Sequence, residues 1–322
     1  MRQIAAAVFA IMLIVLLPVQ AIADKKVVGY IDVSSAGDAT LGGDPRGKSY
    51  SRFANLLKKD KNMLSGLKSI FKRDDLTIIN LECTLTNATS HESGSNYIFK
   101  GKPAYAGILK RGGVDVVNIA NNHIDDFKDK GMSDTVRAIR KNRMKVCGMG
   151  KFAIKTFKRK NVTVKVGVAG FAQSVSPSEV RSDINKLKKK CDIVIATFHW
   201  GTEWKYMPSA TQKMLARTAI NSGADLVTGH HSHVVSGVET YRGRNIAYGL
   251  GMLMSCVRLP DDTDAIIARQ RFIVYSDGSI GIGKFQIVPI TTTTSNSVNN
   301  CHPRILNGAR KKAVLQKVKQ LS

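Results

Sequence analysis

Short apolar runs rich in β-branched residues recur along this chain, and they constrain its fold more than any other feature. The runs are mostly continuous rather than alternating, which is typical of strands buried on both faces of a sheet. They cover residues 27–36, 76–81, 114–120, 162–172, 192–198, 224–228 and 245–250. Helical patterns at 132–142 and 208–221 lie between them, and a predicted hairpin at 271–288 turns at Asp277-Gly278. Alternating strands and helices predict a layered α/β domain, and no linker suggests a second one.

Polar clusters follow five of these predicted strands. In α/β sheets the carboxyl ends of strands meet at one edge, where ligands bind. We therefore expect the clusters to lie close together, and five of the seven histidines fall in them. The clusters are Gly37-Asp38, Asn80-Leu81-Glu82, Asn121-Asn122-His123, His199-Trp200-Gly201 and His230-His231-Ser232-His233.

The side chains of these clusters suit a divalent metal. Imidazole, carboxylate and amide groups together fit Mn, Fe(II), Zn or Co better than a thiolate site does. Taken singly, each cluster also fits a turn or a helix cap, but five of them on five strand ends favour a site for one or two ions. Either Asp38 or Glu82 could bridge two cations. The predicted ligands are Asp38, Glu82, Asn122, His199, His231 and His233.

Neighbouring residues are predicted to assist at the same edge. His123 adjoins a ligand and is interpreted as the catalytic acid. Glu203 is expected to orient His199, because metal-bound histidines usually have such a partner. The residues assigned to substrate binding or to support of the ligands are Asn121, Trp200, Glu203 and His230, with Trp200 and Trp204 walling the pocket.

The first 23 residues have the pattern of a secretory signal peptide. Arg2 supplies a positive charge, residues 4–17 are continuously apolar, and Ala21 and Ala23 are the small residues that precede a cleavage site. We expect a signal peptide at 1–23, a single mature domain at 24–322 with a basic helix from about residue 304, and export to the periplasm or beyond. The alternative is an uncleaved membrane anchor.

A large positive charge indicates which partners to expect. The chain has 49 Lys and Arg against 24 Asp and Glu, a formal net charge of +25, and such a charge attracts polyanions. The basic residues are scattered in short runs, which together with export argues against nucleic acid. An anionic envelope polymer or a membrane surface is the expected partner.

The cysteines are predicted to serve mostly in packing. Their number, five, is odd, so at most two bridges can form within one chain. Their spacing does not match a zinc-knuckle pattern, and a chain of this length needs no disulfide framework.

The order and spacing of the motifs resemble a known family. The motifs are GDATLGGD, DDLTIINLECTLTN, YIFKGKPAYAGILKRGGVDVVNIANNH, FHWGTEW and LVTGHHSHVVSGVE. They resemble the bacterial CapA family, also called the poly-γ-glutamate capsule biosynthesis protein family, which is similar to calcineurin-like metallophosphoesterases. The resemblance covers about residues 27–290. It implies a four-layer α-β-β-α sandwich of metallophosphoesterase type, and an exported or membrane-anchored protein that serves an envelope polymer together with other capsule-assembly proteins.

The resemblance also assigns residues, and it has two departures. It gives the family's metal-site positions to the six predicted ligands and the Asn-His pair to Asn122 and His123. The metallophosphoesterase Asp-x-His is replaced by Asp38-Ala39-Thr40, so one metal position lacks a histidine. The family's Leu-Gly-Asn-Phe is replaced by Leu250-Gly251-Met252-Leu253, which exchanges a polar group for a thioether.

Three functions fit these features. The leading one is an exported metal-dependent hydrolase of the CapA type that acts on or near an anionic envelope polymer. The second is a non-catalytic polyanion-binding factor in capsule assembly that keeps the site only as scaffold. The third is a periplasmic metal-dependent phosphodiesterase, which differs from the first only in its substrate.

Overall fold

The computed structural model describes residues 25–255, 263–295 and 299–322. Sixteen strands form within these ranges; seven of them coincide with the apolar runs, and two more form the predicted hairpin. The strands are β1 (Val27–Ala39), β2 (Leu76–Leu81), β3 (Thr84–Leu85), β4 (Lys100–Gly101), β5 (Val116–Asn118), β6 (Lys145–Cys147), β7 (Phe152–Arg159), β8 (Val162–Phe171), β9 (Ile193–His199), β10 (Leu226–His230), β11 (Val238–Tyr241), β12 (Arg244–Ala247), β13 (Met252–Met254), β14 (Asp264–Tyr275), β15 (Ile280–Thr291) and β16 (Arg304–Ile305).

Seven α-helices lie between or after these strands in the same ranges. Two of them begin with a capping box, in which a serine and the Glu or Gln three residues later each satisfy a backbone N–H of the first turn. The helices are α1 (Lys48–Lys59), α2 (Lys68–Phe71), α3 (Ala106–Gly112), α4 (Lys128–Lys141), α5 (Pro177–Lys188), α6 (Ala210–Asn221) and α7 (Gly308–Gln320).

The strands form two large sheets. The first has the order β16-β15-β14-β1-β2-β5-β6, with β13 pairing to the end of β1, and the second has the order β11-β12-β10-β9-β8-β7. Strands β1, β2, β5 and β6 run parallel in the first sheet, and β8, β9, β10 and β12 run parallel in the second. Each sheet therefore collects the carboxyl ends of several strands at one edge.

Apolar side chains bury both faces of the central strands. On β2, Ile78 belongs to the core between the two sheets, whereas the adjacent Ile79 belongs to the core beneath α1, α3 and α4. On β9, Ile195 faces the core between the sheets and Val194 faces the core beneath α5 and α6. Two sheets packed face to face, with helices outside each, confirm the predicted four-layer α-β-β-α sandwich.

The observed strand ends differ from the predicted ones by a few residues. Strand β1 extends to Ala39, so that Asp38 lies within the strand, and β9 and β10 end on His199 and His230 themselves. The C-terminal helix begins at Gly308, later than expected, because Arg304–Ile305 pairs with β15.

Three cysteines have the packing role that we expected. Cys83, Cys147 and Cys191 are buried free thiols, and burial raises the pKa of the first two far above the usual range. Cys301 differs, since it is disulfide-bonded.

Two observations concern the predicted signal peptide and possible membrane-spanning helices. The predicted signal peptide at 1–23 lies outside the described residues. Within the described ranges, no helix is both long and apolar enough to cross a membrane.

The close approach of β1 to the segment before β13 generates a stability prediction. A Cβ at Gly37 would lie 1.9 Å from the carbonyl oxygen of Gly251, which is rigid backbone. We expect Gly37→Ala to lower the free energy of unfolding by about 3 kcal/mol, because the backbones must separate. Urea unfolding followed by circular dichroism measures this.

The matched control is Gly107→Ala in α3. A Cβ there would meet only the ends of the Arg111 and Asn142 side chains, and alanine favours helix over glycine. This variant should be at least as stable as the parent. Equal stability of both variants would contradict the steric account of Gly37.

Candidate metal centre

Asp38 occupies the middle of a buried polar cluster where the edges of the two sheets meet. Its side chain is almost inaccessible to solvent. Asn80 Nδ2 donates to Asp38 Oδ1 at 2.7 Å, and the backbone N–H of His231 donates to Asp38 Oδ2 at 3.0 Å. The Nδ1 atoms of His230 and His233 each lie 3.4 Å from this carboxylate. One carboxylate of the first sheet therefore contacts several groups of the second.

Glu82 and His199 form the next part of the cluster. His199 Nε2 lies 3.4 Å from Glu82 Oε1 and 2.7 Å from Asn122 Oδ1. On its other side, His199 Nδ1 lies 3.1 Å from Asn80 Nδ2 and 3.8 Å from Asp38 Oδ1. The exposed Asn122 residue thus presents its amide oxygen to the buried imidazole.

The loop after β10 brings two histidines to different sides of Glu82. His231 and His233 both have backbone φ values in the left-handed region, +83° and +59°, which non-glycine residues seldom adopt. Their ring centroids lie 6.0 Å apart. His231 faces His199, with ring centroids 4.6 Å apart, whereas His233 Nδ1 lies 3.8 Å from Glu82 Oε2. Backbone strain of this kind is often found at functional sites.

Two groups of donor atoms result, and Glu82 belongs to both. The first group is Glu82, His199 and His231, and the second is Asp38, Glu82 and His233. Within each group, one donor atom from every residue lies within 4.8 Å of the others. A carboxylate shared by two donor groups is the arrangement that two neighbouring cations need.

Unpartnered buried atoms test whether these residues fit a metal. Glu82 Oε1 and the Nδ1 atoms of His230, His231 and His233 are buried and make no hydrogen bond of acceptable geometry with the described residues. Three of them have only an ion-pair contact at 3.4 Å, to His199 Nε2 or to the Asp38 carboxylate. Buried polar atoms are almost always paired, so four such atoms in one cluster require an explanation. Carboxylate oxygen and imidazole nitrogen are also the donors that divalent transition metals prefer. The residues present therefore fit a divalent metal.

The charges of the cluster shift its pKa values in opposite directions. Burial alone would raise the pKa of Asp38, but the neighbouring His230 and His233 hold it well below its usual range. Burial alone would lower the pKa of His233, but the negative charges of Glu82 and Asp38 raise it well above its usual value. Burial and the adjacent His199 lower the pKa of His231. The Asp38 carboxylate is thus ionised at neutral pH and attracts positive charge.

His123 lies beside the cluster and is held by a carboxylate that the sequence analysis missed. His123 Nδ1 lies 2.8 Å from Asp126 Oδ2, and both residues are buried. Asn121 Oδ1 accepts the backbone N–H of His123 at 3.0 Å, which fixes the loop. Burial opposes protonation of His123, but the hydrogen bond and charge of Asp126 raise its pKa. Asp126 therefore orients the His123 imidazole and favours its protonated form.

Two buried asparagines to which the sequence analysis assigned no role, Asn80 and Asn118, support the cluster. Asn118 Nδ2 donates to Asn80 Oδ1 at 2.9 Å, and Asn80 in turn contacts both Asp38 and His199. Asn121 Nδ2 donates to the Leu81 carbonyl at 2.8 Å. The sequence does contain a signal for such supporting residues, namely asparagines near the ends of the otherwise apolar strands β2 and β5. An asparagine inside a buried strand needs a polar partner.

The predicted pocket residues differ in where they lie. Glu203 is half-exposed, and its Oε1 lies 3.8 Å from His233 Nε2 rather than beside His199 as expected. The Trp200 indole does not line the pocket as expected, because it lies in the core beneath α5 and α6. It stacks on Phe198 with 4.3 Å between ring centroids, and its Nε1 donates to the Tyr248 carbonyl. Side chains alternate along an extended segment, so the residue after a site-facing His199 faces the other way.

Aromatic rings border the cluster on two sides. The exposed Trp204 ring lies 5.6 Å from the His233 ring. In the segment before β4, the Phe99 ring lies 4.3 Å from the His123 ring. The exposed Tyr97 ring lies 6.1 Å from the Phe99 ring. Asp126 Oδ2 also accepts the backbone N–H of Phe99. Of the two tryptophans expected at the pocket, only Trp204 is there.

Comparison with known proteins places the chain in a family. The family described as "Bacterial capsule synthesis protein PGA_cap" matches residues 32–255, a span that contains both donor groups. The chain belongs to this bacterial capsule synthesis family. The resemblance read from the motifs is thereby confirmed.

Individual relatives support the same membership. The "PGA biosynthesis protein CapA" of Bacillus subtilis (strain 168) is 28% identical over 246 residues, which cover 70% of this chain and 63% of that protein. The "Capsule biosynthesis protein CapA" of Bacillus anthracis is 32% identical over 166 residues, which cover 44% of this chain and 40% of that protein. The chain thus spans less than two thirds of these curated relatives.

Solved structures include a distant neighbour. The Haemophilus influenzae NAD nucleotidase (NadN) superposes with a TM-score of 0.44 and 11% identity, over 91% of this chain and 56% of its own.

The shared position of Glu82 gives the first prediction for the site. Glu82→Gln keeps the shape but removes the charge common to both donor groups, so the metal content of the purified protein should fall to less than about a tenth of the parent value. Elemental analysis after dialysis against the metal measures this. Glu203→Gln is the control and should retain most of the metal, because Glu203 is half-exposed and outside both groups. Unchanged content in Glu82→Gln would exclude this residue as a ligand.

The raised pKa of His233 predicts that metal affinity depends on pH. An imidazole must be neutral to bind a metal, and in the metal-free protein His233 holds its proton at neutral pH. Metal binding should therefore release a proton, and affinity should fall by about tenfold or more between about pH 8 and about pH 6. Calorimetric titration in buffers of different ionisation enthalpy measures both effects. Affinity that is constant across this range would contradict the assignment of His233.

Proposed function

We propose that this member of the capsule synthesis family is a metal-dependent hydrolase that acts on an anionic polymer of the cell envelope. One observation carries the proposal: Glu82 Oε1 and three imidazole nitrogens are buried without a hydrogen bond around the ionised Asp38 carboxylate, and a histidine with a raised pKa lies beside them. A purely structural polar cluster would satisfy its own hydrogen bonds. This one leaves donor atoms free for a cation.

The metal identity and number are part of the proposal. Asp38, Glu82 and His233 would hold one ion, and Glu82, His199 and His231 a second. Asn122 would add an amide oxygen beside His199. A ligand set of nitrogen and oxygen favours Mn, Fe(II) or Zn. When bound, such an ion supplies Lewis-acid chemistry toward the bond to be hydrolysed.

The protein's own groups would position the substrate and move the proton. His123, held by Asp126, would donate a proton to the leaving group, since Asp126 raises its pKa and so favours the protonated form. The Trp204 and Phe99 rings would flank the substrate and exclude water from the cluster. The amides of Asn80, Asn118 and Asn121 would hold the carboxylate and the histidine loop in place.

The net charge and the N-terminal pattern support the proposed partner and location. A net charge of +25 would raise the local concentration of a polyanion. The signal-peptide pattern at 1–23 supports export to the periplasm or beyond, or retention at the membrane if the segment is not cleaved. The names of the relatives, which refer to PGA and capsule biosynthesis, support an envelope polymer as substrate and other capsule-assembly proteins as partners.

The rival function is a polyanion-binding factor without catalysis, which the high positive charge favours. The hydrolase and the binding factor can be distinguished by incubating the protein with poly-γ-glutamate or with a generic phosphodiester. Each incubation is made with and without a chelator. Hydrolysis that a chelator abolishes and Mn or Zn restores supports the enzyme. Polymer binding that weakens smoothly with salt, without turnover of either substrate, would favour the binding factor.

The His123–Asp126 pair gives a prediction that separates proton donation from folding. His123→Asn should lower kcat about 100-fold or more, because the proton donor is lost. Asp126→Asn should lower kcat less and move the basic limb of the pH–rate profile to lower pH, because the pKa of His123 is no longer raised. Steady-state kinetics across the pH range measure both.

Asp125→Asn is the matched control for this pair. Asp125 adjoins Asp126 but is exposed, and only Asp126 contacts His123. Its pH–rate profile should match that of the parent. A profile of Asp126→Asn that also matches the parent would show that His123 is not the group that titrates.

A further inference from the structure

A basic groove runs along the outer face of α4, outside the metal cluster. Its volume is about 650 Å³. Met132 and Val136, one turn apart, form an apolar floor, and Arg140 continues the same ridge of the helix. The lining residues are Met132, Ser133, Val136, Arg137, Arg140, Lys141 and Lys151.

The cations of this groove outnumber their acidic partners. None of the lining residues is acidic. Arg137 shares the buried Asp134 with Lys130, so one positive charge of that trio stays uncompensated. Neither Arg140 nor Lys141 has an ion pair within the described ranges, and Lys151 Nζ donates to the carbonyl of Met149. The groove therefore presents a strong positive potential over an apolar surface.

One end of the groove lies in the first turns of α4, close in sequence to the residues beside the metal cluster. Helix α4 begins at Lys128, immediately after the segment that carries His123 and Asp126. Met132 and Lys141 are nine residues apart, so the groove extends about 14 Å along the helix axis. A chain lying in it would have one end directed toward the catalytic edge.

We propose that this groove binds a linear polycarboxylate chain and presents it to the metal cluster. Its cations would pair with carboxylates on successive repeating units, and its apolar floor would contact the methylene groups between them. A flat membrane would not reach the floor of a concave groove, and the lining has no aromatic ring on which a nucleic-acid base could stack. The substrate class rests on the proposed function, whereas the groove itself does not depend on catalysis.

The test measures binding of fluorescently labelled poly-γ-glutamate by anisotropy at about 0.15 M salt. The parent should bind, and Arg140→Glu/Lys141→Glu should weaken binding about tenfold or more, because two contacts become repulsive. The control Lys58→Glu/Lys59→Glu changes the net charge equally at exposed positions of α1 and should change affinity less than about twofold. The neutral double variant Arg140→Gln/Lys141→Gln should show a loss of affinity between those of the parent and the charge-reversed variant. Thermal unfolding of each variant checks that it is folded.

Further measurements separate the groove from the catalytic proposal. Polymer binding should persist in Glu82→Gln and in chelator, whereas hydrolysis of a small phosphodiester should persist in the groove variants. Equal losses of polymer affinity in both charge-reversed variants would show that net charge alone explains the effect, and would overturn the groove proposal. Unchanged affinity in both variants, or no binding by the parent, would also overturn it. Tighter binding to polyphosphate, duplex DNA or anionic vesicles would overturn the polycarboxylate assignment.

Discussion

The burial of the Asp38 carboxylate is the constraint on which the rest of the molecule depends. A charge removed from water is stable only when other groups replace the lost solvation. Here the replacement comes from both sheets: an amide of β2 in the first, and in the second a backbone N–H and two imidazoles from the end of β10 and the loop after it. The carboxylate thus fixes how the two sheet edges meet, and it creates the negative potential that makes the cluster suitable for a cation.

Most of the fold and most of the donor residues could be predicted from the sequence. Continuous apolar runs indicated strands buried on both faces, and the polar residue that ends each run indicated the shared edge. What escaped prediction depends on tertiary contacts. Strand β7 is only partly buried, so its apolar pattern is weak, and the capping box at Ser176 and Glu179 that begins α5 was overlooked. Asp126 resembles an ordinary turn residue until the fold brings its carboxylate to His123 and Phe99.

The two sequence departures acquire a physical meaning in the structure. The position that lacks the Asp-x-His histidine holds Thr40, whose backbone N–H pairs with the Met254 carbonyl, and the nearby imidazoles come from the loop after β10. Met252 pairs with Asp38 in a parallel register, so the thioether lies on the strand next to the buried carboxylate. The family membership and the donor geometry therefore agree, while the substituted residues distinguish this chain from the general pattern.

One carboxylate oxygen has consequences beyond its own hydrogen bonds. Asp126 Oδ2 meets the His123 imidazole and the backbone N–H of Phe99 at the same time. The 97–99 segment and the imidazole are therefore mechanically linked, and a displacement of either changes the environment of the other. In the proposed mechanism, substrate contact at Phe99 and proton donation by His123 would therefore be coupled. A substitution in the 97–99 segment would then change the rate of the chemical step as well as the affinity for substrate.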